Sequence, residues 1–182
     1  MAQTVTDEEK LVAELELLGI RYLSRATDYR SERPRPPAQL LADLIRQPSA
    51  RIRQSVISVL LAHPEYSAAV PEALGRLSEA EGLTLRLFYT AAAILQRQYA
   101  EQLRQAGAGE PALLPDLFTQ DLGVSATASS ATRLTELART HQRVSGVTAN
   151  WAGTYDNAAR KLLRRWEMER QWSQPRLLQK PS

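Results

Sequence analysis

Apolar residues recur at three- and four-residue intervals along most of this chain, the period of a helix with one buried face. Leu11, Leu15, Leu18 and Tyr22, flanked by Val12 and Leu23, form the first such stripe and predict a helix from residue 7 to about residue 25. At its start, Thr6-Asp7-Glu8-Glu9 fits a capping box. The Thr hydroxyl accepts from an orphan amide, Glu9 reaches back to the cap, and acidic charge meets the positive end of the helix dipole. Leu40, Leu41, Leu44 and Ile45 predict a second helix over 38–47, ended by Pro48-Ser49. Ile52, Val56, Val59 and Leu60 predict a third that stops before Pro64, and Pro71 suits the first turn of a fourth carrying Leu74 and Leu77. The last two form an antiparallel helical hairpin.

Farther along, Leu85, Phe88, Ala92, Leu95, Tyr99 and Leu103 predict one long helix over 83–105, capped by Gly107 and Gly109. The segment AGAGEPALLP is expected to be a loop docked by Leu113 and Leu114, followed by a short turn, DLFTQDLG, that Asp116 caps and Gly123 ends. VSATASSAT is small, polar and without periodicity, the weakest segment for order, and any hinge or mobile loop of the chain is expected there. Leu134, Leu137, His141 and Val144 predict a helix over 131–145, stopped by Gly146. Val147, Trp151, Tyr155, Ala158, Leu162 and Trp166 carry the same period through a final helix over 147–172, and the proline-containing tail after it is expected to fray. The expected organisation is an N-terminal helix (1–25), a helical core (38–106), a loop region (107–130), a C-terminal helical pair (131–172) and a flexible tail (173–182).

Composition agrees with the pattern. Glycine is scarce, β-branched runs are nearly absent, and Ala, Leu, Arg, Gln and Glu, which lose little entropy in a helix, dominate. An all-α fold is therefore expected. With 182 residues, 43% of them hydrophobic, the chain can bury a substantial core. It has no cysteine, which excludes disulfides, thiolate nucleophiles and cysteine-held metals. The first residues, MAQTVTDEEK, lack an apolar core, and no stretch approaches ~20 uninterrupted apolar residues, so neither a signal peptide nor a membrane span is expected and the expected location is the cytoplasm.

The stretch 48–77 resembles a HEAT or armadillo-type repeat. It has a Pro-Ser start, an Arg in the first helix at Arg51 or Arg53, a break near Pro64, and an Ala-Val-Pro entry into the second helix at Ala69-Val70-Pro71. The resemblance implies a right-handed array of stacked helical hairpins with a binding groove, closed here by a long C-terminal helix.

Candidate chemistry is sparse. Two histidines, His63 and His141, are too few for a zinc site, and no metal or cofactor is expected. His63 stands at a helix end, where an imidazole caps carbonyls. His141 lies on an apolar stripe, as a hydrogen-bonded core histidine does. Neither has an arginine at the spacing of the Arg-x4-6-His motif of HEPN-type helical RNases. There is no GxGxxG, no GxxxxGK[ST] and no nucleophile elbow, so no catalytic residue is assigned. The carboxylate pairs at Asp7-Glu8-Glu9 and Glu79-Glu81 fall at a helix start or in a loop, where caps and solvation explain them. The proline-stiffened loop with Asp28, Tyr29, Arg30, Arg33 and Arg35 is expected to be a solvated connector, with partner binding the second reading.

Charge singles out the C-terminus. The chain is formally +3, with the excess of basic residues in its last third, and NWAGTYDNAARKLLRRWEMERQW holds all three tryptophans. At 100° per residue Trp151, Tyr155, Ala158, Leu162 and Trp166 share a face that must be buried. Arg160, Arg164 and Glu167 lie opposite, and Lys161, Arg165, Met168 and Trp172 form the flank between. Pairing of Arg165 with Glu169, and of Arg164 with Glu167, is expected to neutralise part of the charge. The candidate binding residues are Arg160, Lys161, Arg164, Arg165, Met168 and Trp172. A protein partner ranks first, because Arg and Trp are the residues of interface hot spots. A merely solvated face ranks second, and nucleic acid third, with cations on phosphates and Trp172 stacked on a base. The leading expectation is a non-catalytic adaptor, of which the neutralising member of a bacterial toxin–antitoxin or nucleotidyltransferase-associated pair is one form. An enzyme like the HEAT-like DNA glycosylases comes third, since no acidic and aromatic set aligns with theirs.

Overall fold

A computed structural model describes residues 6–23, 29–107 and 111–173. In chain order its helices are α1 (Asp7–Leu17), α2 (Pro37–Arg46), α3 (Ala50–Ala62), α4 (Val70–Gly75), α5 (Glu79–Gln98), α6 (Ala100–Ala106), α7 (Ser130–Ser145) and α8 (Trp151–Ser173). A 3-10 segment, Pro64–Ala69, joins α3 to α4. There is no strand among the described residues, and the fold is all-α. The apolar faces converge on two helices. α5 packs against α2, α3, α6, α7 and α8, and α3 packs against α1, α2, α5 and α8. Ile57, Leu60, Leu85, Tyr89, Ile94 and Leu95 are sealed between them, and each such side chain contributes ~1.5–3 kcal/mol by leaving water.

Helix ends follow local chemistry. Thr6 and Glu9 form the expected capping box, and Ser78 with Glu81 forms a second that starts α5. α1 stops at Leu17, short of the expected end near residue 25; of that range, residues 24 and 25 lie outside the described residues. The stop is set by Gly19, whose φ of 82° suits glycine, and by the bond from Ile20 N to Leu15 O at 2.9 Å that closes a Schellman turn. Two carbonyls exposed by this stop find distant donors. His63 Nε2 lies 2.8 Å from Leu18 O, and Trp166 Nε1 lies 3.0 Å from Gly19 O. His63 therefore does cap a helix end, though that of α1 rather than its own.

Other boundaries also differ from the sequence expectation. The long helix expected over 83–105 begins earlier and divides at Tyr99 into α5 and α6. The second arm of the 48–77 hairpin is a 3-10 segment followed by only six residues of α-helix, with Pro71 in the first turn of α4. α8 begins at Trp151, not near Val147, because Asn150 Oδ1 accepts from Gly153 N at 3.0 Å and caps it. A Cβ at residue 153 would lie 2.5 Å from Asn150 Nδ2, so the cap depends on that glycine.

The connection before α7 is tied down rather than hinged. Gln96 is buried and clamps the backbone with both ends of its amide, donating to Ala112 O at 2.9 Å and accepting from Leu114 N at 2.7 Å. Tyr89 donates to Pro115 O at 2.8 Å. Leu114 enters the core, but Leu113 remains 67% exposed, so only one of the expected docking pair docks. Asp116 caps its turn as expected, through Thr119 N at 3.2 Å. In the stretch expected to be mobile, Val124 is buried, Ser125 N donates to Glu136 at 2.7 Å, and Ser129 caps α7 through Thr132 N.

The loop expected to be a solvated connector carries the main ion-pair hub of the N-terminal half. Arg35, only 15% exposed in its side chain, bonds Glu14 at 3.0 Å, Asp43 at 2.7 Å and Asp7 at 3.3 Å, joining α1, the loop and α2. Its backbone N also donates to Glu14 at 2.9 Å. Asp28 lies outside the described residues. Glu14 is buried, so removing the Arg35 side chain leaves a carboxylate in the interior with, among the described residues, only that backbone donor. Arg35→Leu is expected to cost about 3–4 kcal/mol by urea unfolding, and the pair Arg35→Leu with Glu14→Leu to recover at least half of it.

Candidate functional site

The rotation of α8 about its own axis decides which of its residues are available. Its inner face is made by Tyr155, Ala158, Ala159 and Leu162, all buried, with Trp151 and Trp166 half-buried at either end. The two alanines let the helix approach α3 closely enough for Ser58 Oγ to donate to Ala158 O at 3.3 Å. That hydroxyl hydrogen is thereby used, so Tyr22 is the donor in its 2.8 Å bond to Ser58.

α7 adds an aromatic clamp. The His141 ring stacks on Trp151 with centroids 3.6 Å apart and lies nearly parallel to the Tyr155 ring at 5.9 Å. His141 Nδ1 and the Tyr155 hydroxyl share a 2.6 Å hydrogen bond. Burial pulls the His141 pKa down to about 4 and pushes that of Tyr155 up, so both are neutral at neutral pH. This is the core histidine expected from the sequence, and it positions α8 rather than meeting solvent.

With the inner face fixed, the candidate residues divide between two flanks. On one side, α6 and the C-terminal half of α8 border a cleft of about 500 Å³. Tyr99, Gln102, Gln105 and Ala106 form one wall, and Arg160, Leu163, Arg164, Glu167 and Arg170 the other. Arg160 Nε lies 2.6 Å from Asp156 and 3.2 Å from the Tyr99 hydroxyl, and these partners raise its pKa. Arg170 donates to Gln105 O at 3.1 Å, capping the C-terminal end of α6. Arg164 does not pair with Glu167 as expected. It is exposed, with neither an ion pair nor a hydrogen bond among the described residues.

On the opposite flank, Arg165 does pair with Glu169, at 2.8 Å. Glu169 also receives Arg21 at 3.0 Å; burial opposes its charge, but the two guanidinium hydrogen bonds outweigh burial and hold its pKa below the usual carboxylate value. The Arg165 guanidinium lies 5.7 Å from the centre of the Trp172 ring, and Trp172 is 71% exposed. Met168 is half-buried beside them, and Lys161 is exposed without a partner among the described residues.

Of the six residues singled out in the sequence, Arg160 and Arg164 line the cleft, while Lys161, Arg165, Met168 and Trp172 lie beside it on the neighbouring strip of the helix. The sequence pattern did not point to the α6 wall or to Arg170. Arg170 continues the spacing of Arg160, Leu163, Arg164 and Glu167, so its place was legible in the helical phase, but nothing local says that α6 lies against that face.

Among the described residues no group of three or more His, Asp or Glu is placed to hold a metal ion, and no helix is long and apolar enough to cross a membrane. The chain shows no significant match to protein-family models, to curated proteins or to solved structures.

The His141 clamp generates a pH dependence. An unfolded His titrates near 6.5, and the folded one near 4. Between those values the unfolded chain binds more protons, so stability is full above about pH 6.5 and falls as pH drops toward 4. The loss from this group is expected to reach roughly 3 kcal/mol. Urea midpoints measured across this range are expected to fall more steeply for the wild type than for His141→Leu.

Proposed function

We propose that this protein is a non-catalytic helical interaction module that docks a partner protein through the outer strip of α8, with Trp172 at its centre and Lys161, Arg165 and Met168 beside it. The observation that carries this reading is an exposed tryptophan set beside an arginine that ion pairs restrain. Arg21 fixes Glu169, Glu169 fixes Arg165, and the Arg165 guanidinium lies against the ring. A large apolar ring left in water gains nothing for the free protein, whereas a Trp beside a restrained Arg supplies contact area at little entropic cost.

Nucleic-acid binding is the second reading. It is favoured by Lys161 and Arg164, which face solvent with no carboxylate attached among the described residues. Affinity of that origin falls steeply with salt and disappears when Arg160, Lys161, Arg164 and Arg165 are neutralised together.

Affinity capture from the source organism with the full chain as bait is expected to recover a stoichiometric protein. Trp172→Ala is expected to weaken that complex at least thirtyfold, about 2 kcal/mol, while its urea midpoint shifts by no more than about 0.5 kcal/mol. Equal capture by the wild type and Trp172→Ala would sink the reading. Salt-sensitive retention of RNA or DNA with no protein would favour the second.

A further inference from the structure

Resting on that reading but concerning the other flank of α8, we infer that the cleft between α6 and α8 seats an acidic helical segment of the partner, whose carboxylates pair with Arg160 and Arg164. Both arginines have hydrogen-bonding capacity left to give. Arg160 donates to the Tyr99 hydroxyl through Nε, which also lies 2.6 Å from Asp156, and neither terminal nitrogen makes a hydrogen bond among the described residues. The whole Arg164 guanidinium remains as well. A guanidinium with its terminal pair free presents the fork that a carboxylate accepts in bidentate fashion.

Spacing narrows the occupant. Arg160 and Arg164 are one turn apart on the same helix, which at 1.5 Å rise per residue places them about 6 Å apart along the axis. Two acidic residues four apart on a facing helix have that same separation. Arg170 adds a third cation to the same wall, bound to Gln105 O through one nitrogen only. Between the charges the cleft is not polar throughout. Leu163 is half-buried, and it and Ala106 supply an apolar strip for the partner helix to cover.

The same residues disfavour other occupants. Glu167 in the cleft wall and Asp156 beside it oppose any anion, phosphate and carboxylate alike, so the choice rests on the apolar strip of Leu163 and Ala106, which an amphipathic helix can cover and a phosphate backbone cannot. Residues 174–182 carry Arg176 and Lys180 and no Asp or Glu, so they offer no side-chain carboxylate to Arg160, Arg164 and Arg170.

The test uses the full chain and a fluorescein-labelled amphipathic peptide of Glu, Ala and Leu, with a twin in which Gln replaces every Glu. By fluorescence anisotropy the acidic peptide is expected to bind at least tenfold more tightly than its twin. Arg164→Glu is expected to remove that advantage, and Arg143→Glu, the same charge change on an exposed residue of α7, to keep it. Circular dichroism melts confirm that each variant is folded. The inference is overturned by equal binding of the two peptides or by equal losses from Arg164→Glu and Arg143→Glu. Tighter binding of a single-stranded RNA through Arg164, or self-association that Arg164→Glu abolishes, overturns it in favour of those occupants. Its failure is separable from that of the docking strip: a captured partner that tolerates Arg164→Glu but not Trp172→Ala leaves the strip standing and the cleft empty of acid.

Discussion

Two carbonyl oxygens at the end of α1 constrain how the distant helices pack. Gly19 turns the chain sharply, and the oxygens of Leu18 and Gly19 are left without helical partners. Burying them unpaired would cost ~1–3 kcal/mol each. They are satisfied by His63 at the end of α3 and by Trp166 in α8, side chains far along the sequence. Because an indole has one donor, Trp166 can meet Gly19 only when its face of α8 is turned inward. That requirement, with Ser58 on Ala158 and His141 on Tyr155, sets the rotation of α8. The exposure of every residue on the outer side of the helix depends on it.

Once α8 is so placed, chemically similar side chains acquire different fates. Arg164 and Arg165 are adjacent in sequence, yet one lines the cleft without a partner among the described residues and the other is tied to Glu169 beside Trp172. Glu169 serves two arginines from different parts of the chain and ties α8 to the segment after α1. An ion pair this exposed contributes little stability by itself. Its effect is geometric, since it restricts the rotamers of the side chain on which the Trp172 ring rests.

The helical periodicity was enough to locate the helices, because their stripes are long and regular. The ends of α7 and the buried face of α8 were legible from glycine, capping residues and phase. What sequence could not supply was the identity of long-range partners. Arg35 sits in a run of arginines and prolines that looks solvated, and only the fold places Glu14 and Asp43 around it. Likewise VSATASSAT looks unstructured because its partners, Glu136 and the core around Val124, are elsewhere. The division of the basic helix into two flanks was half legible. Phase separated Lys161, Arg165, Met168 and Trp172 from Arg160 and Arg164, but the wall that makes a cleft of the second group comes from α6, whose break from α5 at Tyr99 has no local signal such as glycine or proline.

That break bears on the cleft itself. Had the helix run straight through Tyr99, α6 would continue the axis of α5. Instead Tyr99 ends α5, and its hydroxyl donates to Asp156 at 2.6 Å while accepting from Arg160, so the wall of the cleft is pinned to α8 at one end. At the other end Arg170 holds Gln105 O. The two attachments leave Arg164 between them, on a helix fixed at both ends and facing a wall fixed at both ends. Glu167 stands three residues on in the same wall, yet Arg164 makes no ion pair with it, or with any other carboxylate among the described residues. The same rigidity lowers the ordering cost to any carboxylate that approaches, which is what distinguishes this arginine from the other exposed cations of the chain.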